Sequence, residues 1–337
     1  MYPVLFQIPV LGWPVFSYGV MLGLSIIVGW YLTMYLAERN GLPRKTMGSC
    51  YFWGIIGALA GARLLYLVTN PEHLTGPADM LNLRQGGLVA YGGFLGALGT
   101  CAVFCRIKKI NLWAWADATA APIVLGLAIT RVGCFLYGCC FGRRVTDDDP
   151  AWVRSIALRF PNWAVRFPHM GDAAGGCQHD VEGSPAFMHH VRNYGLDSAA
   201  AASFEIFPSQ LADTINGLIA FGLLLLLLRV RRFHGTVFLG FAVYYGLTRF
   251  VLETVRDDAQ RGTFGPAVFG PVGYHGQLTT SQIIALITVT AAVAGLVWMA
   301  RRARRDPDAA MALGSGAVAV SEVKPGRPRS RRGARKR

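Results

Sequence analysis

Two arginines stand inside stretches apolar enough to cross a bilayer: Arg131 in ITRVGCFLYGCCFGRR and Arg249 in YYGLTRFVLETVRDD. A guanidinium is hard to neutralise, so it cannot escape a low dielectric by losing its proton. At membrane depth such a charge costs a few kcal/mol or more, and it normally faces a polar interior rather than lipid. Helices carrying these groups have to assemble around them. The pattern predicts a buried anion site inside an all-α polytopic membrane protein.

Composition points the same way. Of the 337 residues 53% are hydrophobic and only 15% charged, against about 25% charged in soluble domains, and the mean hydropathy is +0.37. About seven stretches reach the length needed for ~30 Å of hydrocarbon: 16–37, 48–69, 87–106, 114–138, 210–229, 235–255 and 281–300. The expected organisation is an interfacial N-terminal segment (1–15), transmembrane helices 1–4 (16–141), a small extracytoplasmic head loop (142–207), transmembrane helices 5–7 (208–300) and a basic, disordered tail (301–337). Arg39, Arg44 and Lys45 follow the first span, Arg106, Lys108 and Lys109 the third, and Arg229, Arg231 and Arg232 the fifth. By the positive-inside rule the N-terminus lies outside and the C-terminus in the cytoplasm. The head, whose aromatic runs at 152–160 and 163–167 suggest a few short strands, is long enough to be exempt from that rule. No cleavable signal peptide is expected from the pattern of residues 1–13. No internal repeat supports an inverted-repeat transporter.

The formal net charge is +14, and twelve Lys or Arg lie beyond Met299. This reads as a solvated tail near anionic headgroups. Nothing interleaves aromatics with those charges, so no nucleic-acid partner is expected. The 40 glycines are scattered, as close helix–helix approach in a bilayer requires.

Several constellations carry candidate chemistry. Tyr245, Arg249, Glu253 and Arg256 fall at steps of four, four and three, on one helical face. Glu253 can neutralise Arg249 and still leave donors of its fork free for a phosphate; Glu253 with Arg256 reads as a boundary ion pair. In the fourth span Gly133, Gly138 and Gly142 flank Arg131 and allow close approach of another helix or a ligand. Tyr91, in GGLVAYGGFLG, admits two readings: an aromatic-belt anchor, or a hydroxyl presented to a cavity by its glycine neighbours. Tyr18 admits the same two. Ser209 and Gln210 of FPSQL can cap a helix start. Cys50, Cys101 and Cys105 read as small buried hydrophobes. The CxxxxCC cluster of Cys134, Cys139 and Cys140 is open to a metal or a disulfide. The head's His169, His179, His189, His190, Cys177 and Asp180 lack zinc-motif spacing, and no metal or cofactor is expected.

YGVMLG, GARLLY, GGLVAYGGFLG, RVGCFLYGCCFGR, FPSQL and YGLTRFVLETVR occur in this order. The set resembles the motif series of bacterial prolipoprotein diacylglyceryl transferases over about residues 16–300. The resemblance implies an enzyme of the bacterial inner membrane whose partners are phosphatidylglycerol, membrane lipid and prolipoprotein signal peptides with a lipobox cysteine. Diacylglycerol would pass from phosphatidylglycerol to the cysteine thiol, giving a thioether and glycerol phosphate. The implied catalytic residues are Arg131, Arg249, Tyr91 and Glu253. The implied substrate-binding residues are Tyr18, Arg63, Gly92, Gly93, Cys134, Gly142, Gln210 and Tyr245. Four positions depart from the family: Tyr91 replaces the histidine of HGGL, Cys134 and Cys139 replace an asparagine and an acid, and Phe207 replaces the histidine of HPSQL. A phenol ionises near pH 10 and is a weaker base than imidazole. That departure keeps a second reading open, a non-catalytic phospholipid-binding paralogue or a lipid- or anion-handling membrane protein.

Overall fold

A backbone in hydrocarbon has to satisfy its own hydrogen bonds, so long unbroken apolar runs become helices. The computed structural model describes residues 4–7, 14–71, 87–159, 164–165, 181–182, 184–256, 263–264 and 278–317. The long helices are α1 (Ser17–Arg39), α2 (Arg44–Thr69), α3 (Ala90–Ile107) and α4 (Leu112–Tyr137), followed after two shorter ones, α5 (Ala151–Ser155) and α6 (Pro185–Tyr194), by α7 (Ser209–Val230), α8 (Thr236–Glu253) and α9 (Thr280–Arg305); α10 (Pro307–Ala310) is a single turn. Three antiparallel pairs of short strands complete the described residues: β1 (Val4–Gln7) with β2 (Pro14–Phe16), β3 (Ala164–Val165) with β4 (Val181–Glu182), and β5 (Thr263–Phe264) with β6 (Leu278–Thr279). The chain is therefore mostly helical. Six helices (α1, α2, α3, α4, α7 and α9) are long and apolar enough to cross a membrane. The sixth expected span, 235–255, is the helix α8, which carries Arg249 and Glu253 and is not among those six.

The chain divides into two compact units, one of residues 1–33 and 116–310, the other of 34–115 and 311–337. In the second unit α2 and α3 pack through facing glycines. A Cβ on Gly61 would collide with the carbonyl oxygen of Gly92, and one on Gly57 with that of Gly96. The partners run in opposite order along the two helices, so the pair is antiparallel. This contact gives Gly92 a packing role. Arg63 is buried and donates to the carbonyl of Gly87 at 3.2 Å, with its guanidinium over the Tyr66 ring. Gly87 has φ 72° and no room for a side chain beside Tyr66. Arg63 and Tyr66 thus fix the turn into α3. The start of the basic tail is ordered too: α9 runs to Arg305, the Asn111 N–H donates to the Leu313 carbonyl (2.8 Å), and the Gly316 N–H to that of Lys109 (3.0 Å). Those contacts depart from a tail disordered from residue 301.

In the first unit small residues let α4 approach its neighbours. Gly217 of α7 faces Ala128, where an added Cβ would lie 3.0 Å away, and Gly246 of α8 abuts Val289 and Ala285 of α9. A buried carboxylate sets the start of α8. Asp117 of α4 accepts from the backbone N–H groups of Gly235 (2.9 Å), Val237 (3.0 Å) and Phe238 (3.0 Å), and from Arg231 at 3.1 Å. The first N–H groups of a helix have no partner within it and carry partial positive charge. Asp117 answers both needs from another helix.

Within residues 142–207 a few short strands were expected; the described residues also contain α5 and α6. Ser184 caps α6 by accepting from the Phe187 N–H, Pro185 follows, and Gly195 ends it at φ 66°. His190 of α6 is fully buried, its Nδ1 accepting from the Phe204 N–H at 3.1 Å. His169, Cys177, His179 and Asp180 lie outside the described residues.

Removing the carboxylate in Asp117→Ala should leave Arg231 and the α8 start uncompensated and lower stability by about 3–5 kcal/mol, read as thermal unfolding in detergent. Burial, with His189 and Arg144 nearby, pulls the His190 pKa down to about 4. The folded value lies below the unfolded one, so the protein keeps its full stability above about pH 6.5. It should lose roughly 3 kcal/mol as pH falls from there through about 4, because only the unfolded chain takes up the proton. The same unfolding measurement across that range should show a flatter slope in His190→Gln.

Candidate functional site

Three helices of the first unit bring the charges together. Arg131 lies near the end of α4, Asp213 one turn into α7, and Arg249 and Glu253 near the end of α8, with Arg256 just beyond. Asp213 bridges two arginines: its Oδ2 forms an ion pair with Arg131 Nε at 3.1 Å and accepts from Arg256 Nη1 at 3.4 Å. Arg249 Nη2 pairs with Glu253 Oε2 at 2.8 Å, the expected step of four along one helix. Glu253 is held in turn from α9, where Thr279 donates its hydroxyl to Oε1 at 3.3 Å. That hydroxyl also accepts from the Gln282 N–H, and Gln282 reaches back to the Thr279 N–H, so a capping box fixes the group that fixes Glu253.

Arg131 and Arg249 line one cavity, with about 40 Å³ of space open to a water-sized group, room for roughly three waters. Asp213, Asn216, Tyr245 and Thr248 add polar edges, and Val124, Leu127 and Leu252 supply apolar wall. Tyr244 beside it donates to Asn216 Oδ1 at 2.7 Å. Three guanidiniums with two carboxylates leave one net positive charge. Asp213 meets Arg131 at its Nε, and the terminal amino groups of the guanidinium fork are further donors. Low dielectric strengthens any bond those donors make to an anion.

Backbone crossings hold the cluster from outside the helices. The Gly142 N–H donates to the Phe207 carbonyl (3.1 Å), the Arg143 N–H to that of Val255 (2.9 Å), and the Phe207 N–H to that of Arg143 (3.0 Å). A Cβ on Gly142 would meet the Phe207 and Val255 carbonyl oxygens. Gly142 is therefore where three segments meet. Ser209 and Gln210 do not cap α7, whose start has no side-chain cap. They donate instead to the carbonyls of Cys140 (2.9 Å) and Cys139 (2.8 Å). The chain ahead of them turns back at Pro208, which leaves both side chains facing the turn after α4. The Gln210 Oε1 is buried without a partner among the described residues.

That turn is unusual. Gly138 ends α4 with φ 79° and Cys140 adopts φ 57°, a conformation costing a non-glycine residue about 1–2 kcal/mol. It folds the chain so that the Sγ atoms of Cys134, Cys139 and Cys140 lie within 4.8 Å of one another. Tyr18 of α1 is close enough to interact electrostatically with all three thiols and with Arg131. Gly133 permits the approach of α1, since a Cβ there would lie 2.9 Å from that of Met21.

A family model described as prolipoprotein diacylglyceryl transferase matches residues 3–298. The chain belongs to the prolipoprotein diacylglyceryl transferase family. It is 26% identical over 294 residues to the phosphatidylglycerol–prolipoprotein diacylglyceryl transferase of Geobacillus kaustophilus (strain HTA426), covering 86% of this chain and 89% of the relative. It is 27% identical over 299 residues to the protein of that name from Trichormus variabilis (86% and 88%) and 26% over 275 residues to the one from Bacillus cytotoxicus (81% and 88%).

Of the residues that the family resemblance singles out, the structure gathers Arg131, Arg249 and Tyr245 around the cavity, with Glu253 paired to Arg249. Tyr18, Cys134, Gly142 and Gln210 belong to the same unit. Tyr91, Arg63, Gly92 and Gly93 lie in the other unit. There Tyr91 opens α3 on a partly exposed face and Gly93 packs near Ala58 and Ala62. Sequence reasoning missed Asp213, Asn216 and Thr279. Asp213 had a signal, as the one acid within α7. Arg256 pairs with it, rather than forming the boundary pair expected with Glu253.

Asp213→Ala should strip the counter-charge from two arginines and destabilise by about 3 kcal/mol or more, with Asp213→Asn milder because its oxygen still accepts. Melting temperatures of both variants in one detergent decide this.

Proposed function

We propose that this member of the family transfers diacylglycerol from phosphatidylglycerol to the lipobox cysteine thiol of prolipoproteins, forming a thioether and releasing glycerol phosphate. One observation carries the assignment: two permanently cationic side chains, from α4 and α8, line one cavity with apolar walls. Such a place suits a phosphodiester whose acyl chains remain in lipid. As the glyceryl C–O bond breaks, negative charge builds on the departing phosphate. Arg131, through its terminal amino groups, and Arg249, oriented by Glu253, stabilise that charge without having to reorganise. Tyr245 and Tyr18 contact the headgroup. The acceptor reacts as thiolate, since a thiol is a poor nucleophile.

In this reading the chain has seven transmembrane helices, α8 joining the other six, in a bacterial inner membrane. The N-terminus is periplasmic, residues 142–207 form the periplasmic head, and the C-terminus is cytoplasmic. The alternating basic loops support that orientation. Signal peptides bearing a lipobox cysteine are the second substrate.

The test follows radiolabelled phosphatidylglycerol into a lipobox peptide, using purified protein in mixed lipid–detergent micelles. Arg131→Ala and Arg249→Ala should each reduce turnover by at least about 100-fold, as loss of one charge-stabilising donor does elsewhere. Glu253→Gln should cost less. Full activity in Tyr91→Phe would exclude its hydroxyl as the base. No label transfer by the wild type overturns the assignment in favour of a lipid-binding paralogue.

A further inference from the structure

We propose that Cys134, Cys139 and Cys140 form a three-sulfur site for Zn²⁺ whose fourth position takes the acceptor cysteine thiol. The inference rests on the transfer reaction above and names how that thiol is activated. Three features support it. The Sγ atoms already lie within 4.8 Å of one another, and tetrahedral zinc with Zn–S bonds of ~2.3 Å needs them about 3.8 Å apart. Small side-chain rotations close that gap.

The backbone is built to hold this arrangement. Left-handed Gly138 and Cys140 reverse the chain after α4. Ser209 and Gln210 then clamp the carbonyls of two of the three cysteines from the first turn of α7. Thiols acting only as small hydrophobes need neither a strained residue nor such clamps. The donor set is all sulfur, which selects zinc or a softer ion over magnesium or calcium.

Charge and chemistry agree. Zinc with three thiolates carries one negative charge, and Arg131 and Arg256 are close enough to Cys140 to interact with it. Catalytic zinc sites keep three protein ligands and one open position. A zinc-bound thiol gives up its proton without a strong base beside it. The step balances. The acceptor thiol releases its proton to solvent on binding the ion, and its sulfur lone pair forms the bond to the glyceryl carbon. The C–O bond breaks with its electron pair leaving on glycerol phosphate. The neutral thioether is a poor ligand and departs, and nothing is oxidised or reduced.

The experiment uses the full chain, purified in detergent under reducing conditions. Elemental analysis should find close to one zinc per chain. Cobalt(II) replacing it should give sulfur-to-cobalt charge-transfer absorption that changes on adding a lipobox peptide but not its serine counterpart. Cys134→Ser and Cys139→Ser should weaken metal binding at least about 100-fold, the upper end of the cost of losing an outer-shell partner. Because loss of a buried cysteine can unfold the protein for other reasons, the wild type is also treated with a chelator, which should abolish label transfer until zinc is restored. Transfer that continues unchanged in metal-free protein, or purified protein that carries no zinc with its thiols free, overturns the zinc site and leaves the transferase assignment standing. Peptide-responsive cobalt spectra without any transfer of label overturn the transferase assignment and leave the site.

Discussion

A guanidinium that cannot shed its charge has to be met by structure wherever water is scarce, and most of the first unit follows from meeting three of them. Asp213 answers Arg131 and Arg256 together, and Glu253 answers Arg249. Each of these contacts ties helices: α4 to α7, and α8 to α9 through Thr279. Ion pairs in such surroundings add little net stability, because desolvation offsets the attraction, whereas losing one partner is costly. The arrangement is therefore better understood by what it leaves over. Its surplus is a single positive charge beside a cavity, with the terminal amino groups of Arg131 available to an anion.

The two units hold themselves together differently. In the second, α2 and α3 meet at Gly57, Gly61, Gly92 and Gly96 with no polar group required, the packing expected where lipid supplies no hydrophobic drive between helices. In the first, glycines at 133, 217 and 246 do similar work, but charged residues decide which helices meet and at what height. A residue such as Gly92, singled out by its motif, also serves as a helix-contact surface. Gly142 unites both roles, because the crossing it allows carries Arg256 to Asp213.

The helices were legible because apolar runs of twenty residues admit few alternatives, and the Arg249–Glu253 pair because it is local, one turn along a single helix. Pairings between distant segments were not. Asp213 stands 82 residues from Arg131, and nothing in the local pattern of either says they touch. Asp117 likewise reads as one acid in an alanine-rich stretch until α8 is seen to begin on it. FPSQL carries the composition of a cap, yet its polar groups are spent on the turn after α4. Helix α6 had its Ser-Pro start and Gly end in plain sight, inside a loop whose aromatic runs suggested strands.

Asp117 also acts as a zero mark. It fixes where α8 starts relative to α4, and the two helices then run the same way toward the cavity. Fourteen residues lead from Asp117 to Arg131 and twelve from Val237 to Arg249, about 21 and 18 Å of matched climb. The two arginines come level because both are measured from one anchor. A single residue inserted into either stretch would turn its arginine by about 100° and raise it 1.5 Å, which is why the length of these segments is as much a part of the chemistry as the side chains at their ends.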